Sequence, residues 1–151
     1  MTRALGVDLG SKRIGLAVSD RSGTIASPLL VLERSRSKRV DLTEIARIAR
    51  DEEVEVIVVG LPLSMSGEAG SAARAAIAEA ERLATFVDVP VELHDERLTT
   101  VTADRHMIEA NMRAPQRRQV VDKVAAAIIL QAWLDQRRGT RAEPAGGDRP
   151  R

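Results

Sequence analysis

Three acidic residues stand where acids are out of place in a folded chain. Asp8 interrupts the apolar run Leu5-Gly6-Val7-Asp8-Leu9. Glu96 follows directly on the β-type segment Val91–His94, and Asp122 sits between Val121 and Val124 in an apolar helical stretch. An isolated buried carboxylate is costly, and several close together raise one another's pKa unless basic groups or a divalent cation offset them. Mg²⁺ takes a few carboxylates together with water and phosphate oxygens, a set these residues can supply. Zinc fits poorly, because there are no cysteines and His94 and His106 show no ligand spacing. Each acid also has a plainer role. Asp8 could hydrogen-bond a turn at a strand end, Glu96 could pair with Arg97, and Asp122 could favour a helix dipole.

The elements that would position these acids can be read from periodicity. Residues 3–9 and 13–19 are short apolar runs around the turn Gly10-Ser11-Lys12, the pattern of two adjacent strands. A third strand is expected at Leu29–Glu33 after the breaker Pro28, then a polar basic loop over Arg34–Arg39. Helical spacing of Leu42, Ile45, Ile48 and Ala49 predicts a helix over 41–52. The run 54–59, ending at Gly60, predicts a strand buried on both faces. Beyond it lie a glycine-rich loop over 60–70, an alanine-rich helix over 71–87 and a strand over Val89–His94. A helix over Thr99–Asn111, capped by Thr99 or Thr100, is followed by a break around Pro115. The last helix, about 119–138, carries Val121, Val124, Ala125, Ile128 and Ala132 on one stripe. Hairpin strands followed by alternating helices and strands describe an α/β fold with a mixed sheet.

Strand parity sharpens the placement of the first acid. Ala4, Gly6 and Asp8 alternate onto one face and leave it nearly bare before the carboxylate. Ala125, Ala126 and Ala127 follow Asp122, so small residues on both elements would let the last helix approach the sheet and bring Asp122 near Asp8.

Composition narrows the classes. The 151 residues carry 23 Lys+Arg and 22 Asp+Glu, with Phe86 and Trp133 as the only aromatic side chains. Five arginines fall in residues 137–151 against two acids, so residues 1–136 have a net charge of −2. A generally basic binder and a base-stacking platform are both disfavoured, and phosphate contacts must come from local clusters. Candidates are Lys12 and Arg13 beside Asp8, Arg97, and Arg113, Arg117, Arg118 and Lys123 near the last helix. Arg34, Arg36, Lys38 and Arg39 form a further basic run. His94 reads as a packing residue and not a general base. With no cysteine, no disulfide framework exists. No apolar run reaches the ~18–20 residues that span a bilayer, so a cytoplasmic location with no membrane partner is expected. Residues 1–138 are expected to form one domain, and the small-residue, polar stretch 139–151 a disordered tail.

Four motifs in order carry a resemblance. They are Gly6-Val7-Asp8-Leu9-Gly10-Ser11-Lys12-Arg13-Ile14-Gly15, Gly60-Leu61-Pro62-Leu63, Asp95-Glu96-Arg97-Leu98-Thr99-Thr100, and Asp122-Lys123-Val124-Ala125-Ala126-Ala127-Ile128-Ile129-Leu130. Over about residues 3–135 the chain resembles the YqgF family, Holliday junction resolvase-like proteins also described as pre-16S rRNA nucleases. The resemblance implies a ribonuclease H-like fold related to the RuvC resolvases, with a mixed five-stranded sheet flanked by helices. It also implies a divalent-metal-dependent nuclease in which Asp8, Glu96 and Asp122 hold Mg²⁺ or Mn²⁺, maturing the 5′ end of pre-16S rRNA in ribosome biogenesis. RuvC-like enzymes often place a further acid or histidine one turn before the helix aspartate. Gln119 stands there in this chain, which implies fewer metal ligands.

Alternatives remain at this stage. Branched DNA could be the substrate, in which case a two-fold homodimer would suit symmetric cutting. A non-catalytic RNA-binding factor in ribosome assembly, with ribosomal components as partners, would retain the same fold. Whether Asp95 assists Glu96 also stays open. A phosphate-binding ATPase of the actin and sugar-kinase class shares an Asp-x-Gly turn, but needs two such domains, which 151 residues cannot hold.

Overall fold

In the computed structural model, residues 2–63, 66–98 and 123–138 are described. The expected hairpin is present. β1 (Ala4–Leu9) and β2 (Arg13–Ser19) pair antiparallel with Asp8 opposite Gly15. β3 (Ala26–Glu33) adds antiparallel to β2, and β4 (Val56–Leu61) pairs parallel with β1. β5 (Val91–Asp95) pairs parallel with β4. The order β3-β2-β1-β4-β5 makes one mixed five-stranded sheet. β1 and β4 are central, which explains their near-continuous burial and apolarity.

α1 (Lys38–Asp51) and α2 (Ser71–Ala84) cover one face, and the helical segment 123–138, here α3, covers the other. Alternation along the strands divides the core accordingly. Leu5, Val7, Ile57 and Val59 pack with Leu42, Ile45, Ile48 and Leu83. Ala4, Val56 and Val58 pack with Ala125, Ala126, Ile129, Leu130 and Trp133. A short 3₁₀ turn, Glu96–Leu98, follows β5.

Several boundaries differ from the sequence reading, each for a local reason. β3 starts three residues early and includes Pro28. It is an edge strand, where a missing N–H is tolerated, and its register to β2 shifts at Leu16/Ala17. α1 begins at Lys38 and not at 41, because the Ser37 hydroxyl accepts the Val40 N–H as N-cap inside the supposed basic loop. α2 stops at Ala84, where the Thr85 and Phe86 N–H groups turn back to the Arg82 and Leu83 carbonyls. β5 starts at Val91, since Pro90 contributes only its carbonyl, to the Ile57 N–H. The buried stripe of α3 centres on Ala126, Ile129, Leu130 and Trp133, leaving Val124, Ile128 and Ala132 half-buried. The expected helix over 99–111, the break at Pro115 and the tail from 139 lie outside the described residues.

Candidate active site

The carboxyl ends of β1 and β4 form the centre of the site. Asp8 is buried at 9% exposure on the α3 face of β1. Gly15 stands opposite it on β2, and one step beyond the register pair Val7–Val59 lies Gly60 on β4. Asp8 is therefore flanked on both neighbouring strands by residues without side chains, and over Gly60 that room is taken by Glu96 and the tip of Ile129.

Glu96 enters that space from the turn after β5. Its Oε2 would lie 3.0 Å from a Cβ built on Gly60, so the glutamate carboxylate rests over the strand position next to Asp8. Two acids separated by most of the sheet's sequence are thus gathered on one face at one end. Asp122 lies outside the described residues, and among the described residues no group of three acidic or histidine side chains is placed to hold a metal.

α3 reaches this face closely, as the run of small residues predicts. A Cβ on Gly6 would stand 2.8 Å from Leu130 Cβ and 2.9 Å from the Ala126 carbonyl oxygen, and one on Gly60 2.7 Å from Ile129 Cδ1. The helix runs against β1. Its later residues Leu134 and Arg138 share a small recess with Thr2 and Gly23, and Gln131 Nε2 donates to the Thr24 carbonyl. Its described start at Lys123 therefore faces the Asp8 end of the strand.

The turn after Asp8 is braced. The Gly10 N–H donates to the Asp8 carbonyl at 3.1 Å. Arg34 donates from its backbone N–H to the Lys12 carbonyl and from Nε to the Gly10 carbonyl, both at 2.9 Å. Its guanidinium forks onto Glu79 of α2, with Asp41 of α1 also within ion-pair distance at 3.9 Å. The Glu79 carboxylate holds the Arg34 pKa above its ordinary value. The sequence places Arg34 in a basic run on a polar loop, a candidate for phosphate contact; it is instead 15% exposed and paired within the protein. No local signal marks this, because its partner lies 45 residues away.

The other candidates separate into groups. Lys12 is exposed and Arg13 half-buried beside the Asp8 turn, and Lys123 is half-buried at the start of α3. Arg97 binds Asp95, with Nη2 to Oδ2 at 2.7 Å and its backbone N–H to Oδ1 at 2.9 Å, which holds the Asp95 carboxyl below its usual range. Asp95 thus turns to Arg97. The loop after β4 meets the same side chain, since a Cβ on Gly67 would lie 3.2 Å from Arg97 Nη1. His94 is buried beside Gly60, where burial pushes its pKa down and its Nε2 has no hydrogen-bond partner among the described residues. Arg113, Arg117, Arg118 and Gln119 lie outside the described residues. Among the described residues, no helix is long and apolar enough to cross a membrane.

Residues 2–136 match the family model RuvX, described as Holliday junction resolvase. A Nocardia farcinica protein named "Putative pre-16S rRNA nuclease" is 48% identical over 141 residues, covering 89% of this chain and 78% of that protein. A Myxococcus xanthus protein of the same name is 46% identical, covering 90% and 89%. The solved structure of Thermus thermophilus RuvC with a Holliday junction substrate aligns with TM-score 0.60 at 18% identity. It covers 93% of this chain and 98% of that one, and shows the shared ribonuclease H-like fold. The extent of the family match and these identities place the assignment beyond the fold: the chain belongs to the RuvX family.

Proposed function

We propose that the chain is a divalent-metal-dependent nuclease that hydrolyses phosphodiester bonds in structured nucleic acid, with precursor 16S rRNA as its substrate. The observation that carries this reading is the convergence of Asp8 and the Glu96 carboxylate over paired glycines. The names of the relatives and the family description support nuclease chemistry.

The donor set fits Mg²⁺ or Mn²⁺. Two hard carboxylates are gathered beside Gly60, where a Cβ would crowd Glu96, and the chain has no cysteine to compete. In the proposal Asp8, Glu96 and Asp122 hold the cation, which when bound supplies activated water and offsets charge on the phosphate. The carboxylates act as ligands and not as nucleophiles. Lys12, Arg13 and Lys123, with Arg117 and Arg118, would contact the sugar–phosphate backbone and set its register, while Arg97 would contribute from the Asp95 pair. With Gln119 standing where a further ligand is often found, substrate phosphate oxygens and water would supply the cation's remaining contacts.

The test is cleavage of a precursor 16S rRNA fragment and of a four-way DNA junction, with and without Mg²⁺ or Mn²⁺. The expected result is metal-dependent cutting of the RNA that Asp8→Asn abolishes. The family description favours branched DNA as a second reading, and preferential, symmetric cutting of the junction would establish that substrate instead. Equal cutting by Asp8→Asn and wild type would refute both. A cytoplasmic setting and action in ribosome biogenesis belong to the rRNA reading, and a homodimer to the junction reading.

A further inference from the structure

We propose that Arg34 is a positioning residue for the Asp8 turn, and that Glu79 and Asp41 hold its guanidinium in place for that task. This rests on the nuclease reading for its catalytic half only. One side chain reaches three elements. Arg34 fixes both ends of the Gly10–Lys12 turn through its Nε and its own N–H. The Gly10 peptide in turn donates to the Asp8 carbonyl, so the guanidinium sits two hydrogen bonds from the backbone of the proposed ligand. Asp8 is the penultimate residue of β1, one step past the last β4 pair at Val7 and one short of the end of the β2 ladder at Leu9.

The brace is rigid because it is buried and forked. Glu79 is 5% exposed and takes both terminal nitrogens of Arg34, leaving Nε for Gly10. Asp41 takes the Ser35 N–H at Oδ1, which anchors the start of α1 beside it, and its Oδ2 has no hydrogen-bond partner other than the approach of Arg34. Two buried carboxylates around one guanidinium is a poor arrangement for stability alone, since an apolar pair of similar volume commonly serves as well. It is a good arrangement for fixing a planar donor against one carbonyl. The turn itself has little slack, since a Cβ at Gly10 would lie 2.5 Å from the Arg13 carbonyl oxygen. A ligand carboxylate displaced by about 1 Å costs on the order of 10²-fold in rate, so small slippage here has large consequences.

The experiment compares the full-length wild type with Arg34→Met and with the double variant Arg34→Met/Glu79→Leu. Three quantities are read: Tm, amide hydrogen exchange at Gly10, and kcat and KM for the RNA fragment with Mn²⁺. Arg34→Met strands two buried carboxylates and should lower Tm by on the order of 10 °C. The double variant removes the larger part of that burden and should recover at least about half of the loss. Its Gly10 amide should still exchange at least about tenfold faster than in wild type, with kcat down about tenfold or more and KM within about threefold. Return of Gly10 protection and kcat together with Tm would overturn the proposal, because the cluster would then serve stability alone. Faster exchange with unchanged kcat would overturn it too. If wild type cuts nothing, the nuclease reading fails separately, and Gly10 exchange still decides whether Arg34 holds the turn.

Discussion

The two faces of the sheet are built from alternate residues of the same strands, yet they do opposite things. Toward α1 and α2, β1 and β4 present Leu5, Val7, Ile57 and Val59, which are almost wholly buried among leucines and isoleucines. Toward α3 they present Ala4, Gly6, Asp8, Val56, Val58 and Gly60, and the helix answers with Ala125 and Ala126 beside Ile129, Leu130 and Trp133. Large aliphatic residues stabilise by the apolar area they remove from water. Small ones give up that area, and in exchange allow a close helix approach and room for carboxylates. Both faces carry core, but strand parity confines the candidate carboxylates to one side of the sheet, a segregation of the chemistry.

That contrast can be broken from either side. Asp8→Asn should reduce cleavage by about 10³-fold, equivalent to ~4 kcal/mol of lost transition-state stabilisation, while leaving Tm nearly unchanged. Leu5→Ala, three residues away on the other face, should do the reverse. It should cost ~2–5 kcal/mol of stability, read by denaturant unfolding, with cleavage per folded molecule at 25 °C within about twofold of wild type. If Leu5→Ala inactivated the folded protein, the segregation would be wrong.

Gly6→Val should affect both functions, because its side chain would meet the Leu130 Cβ and the Ala126 carbonyl. Overpacking of this kind costs ~1–3 kcal/mol and displaces α3 from the sheet, so Tm and cleavage should fall together. Gly60→Ala is milder. The methyl group meets the movable tip of Ile129 and the Glu96 carboxylate, so cleavage should drop about tenfold with a Tm loss of only a few degrees.

The smallest effect concerns an acid that does no chemistry. Asp20, in the β2–β3 turn, accepts the Thr24 and Ile25 N–H groups and the Ser22 hydroxyl, and these hold its pKa below the ordinary value. The unfolded chain therefore binds its proton more readily. The stabilisation is present above about pH 4 and is lost as pH falls through the lower folded value. Asp20→Asn should flatten the acid limb of Tm against pH below about pH 4 and leave cleavage untouched. An unchanged acid limb would show that the turn's hydrogen bonds carry no linkage.

Much of this was legible in the residues, and the failures have physical causes. The hairpin and the bare α3-facing side of β1 follow from period-two alternation and glycine placement, and β4 from an unbroken apolar run, read as 54–59 and found at Val56–Leu61; all of these signals are local. Ser37 was hidden as a cap by the basic residues around it. Pro28 reads as a breaker in the sequence because its edge position, which makes it harmless, is a property of the sheet. The Arg34–Glu79 pair joins residues with no periodic or motif relation, so only folding reveals it. Asp8 and Glu96 stood out as acids at strand ends. That they share a face required the β1–β4 register and the Gly60 contact. Asp122 lies outside the described residues, and its place in the site is carried by the proposal.

The central claim is most directly tested by calorimetric titration of Mn²⁺ into the protein with a non-cleavable oligonucleotide present. The account predicts uptake by wild type that Asp8→Asn and Glu96→Gln each weaken by at least about tenfold. Undiminished uptake in both variants, or none in wild type, would contradict it.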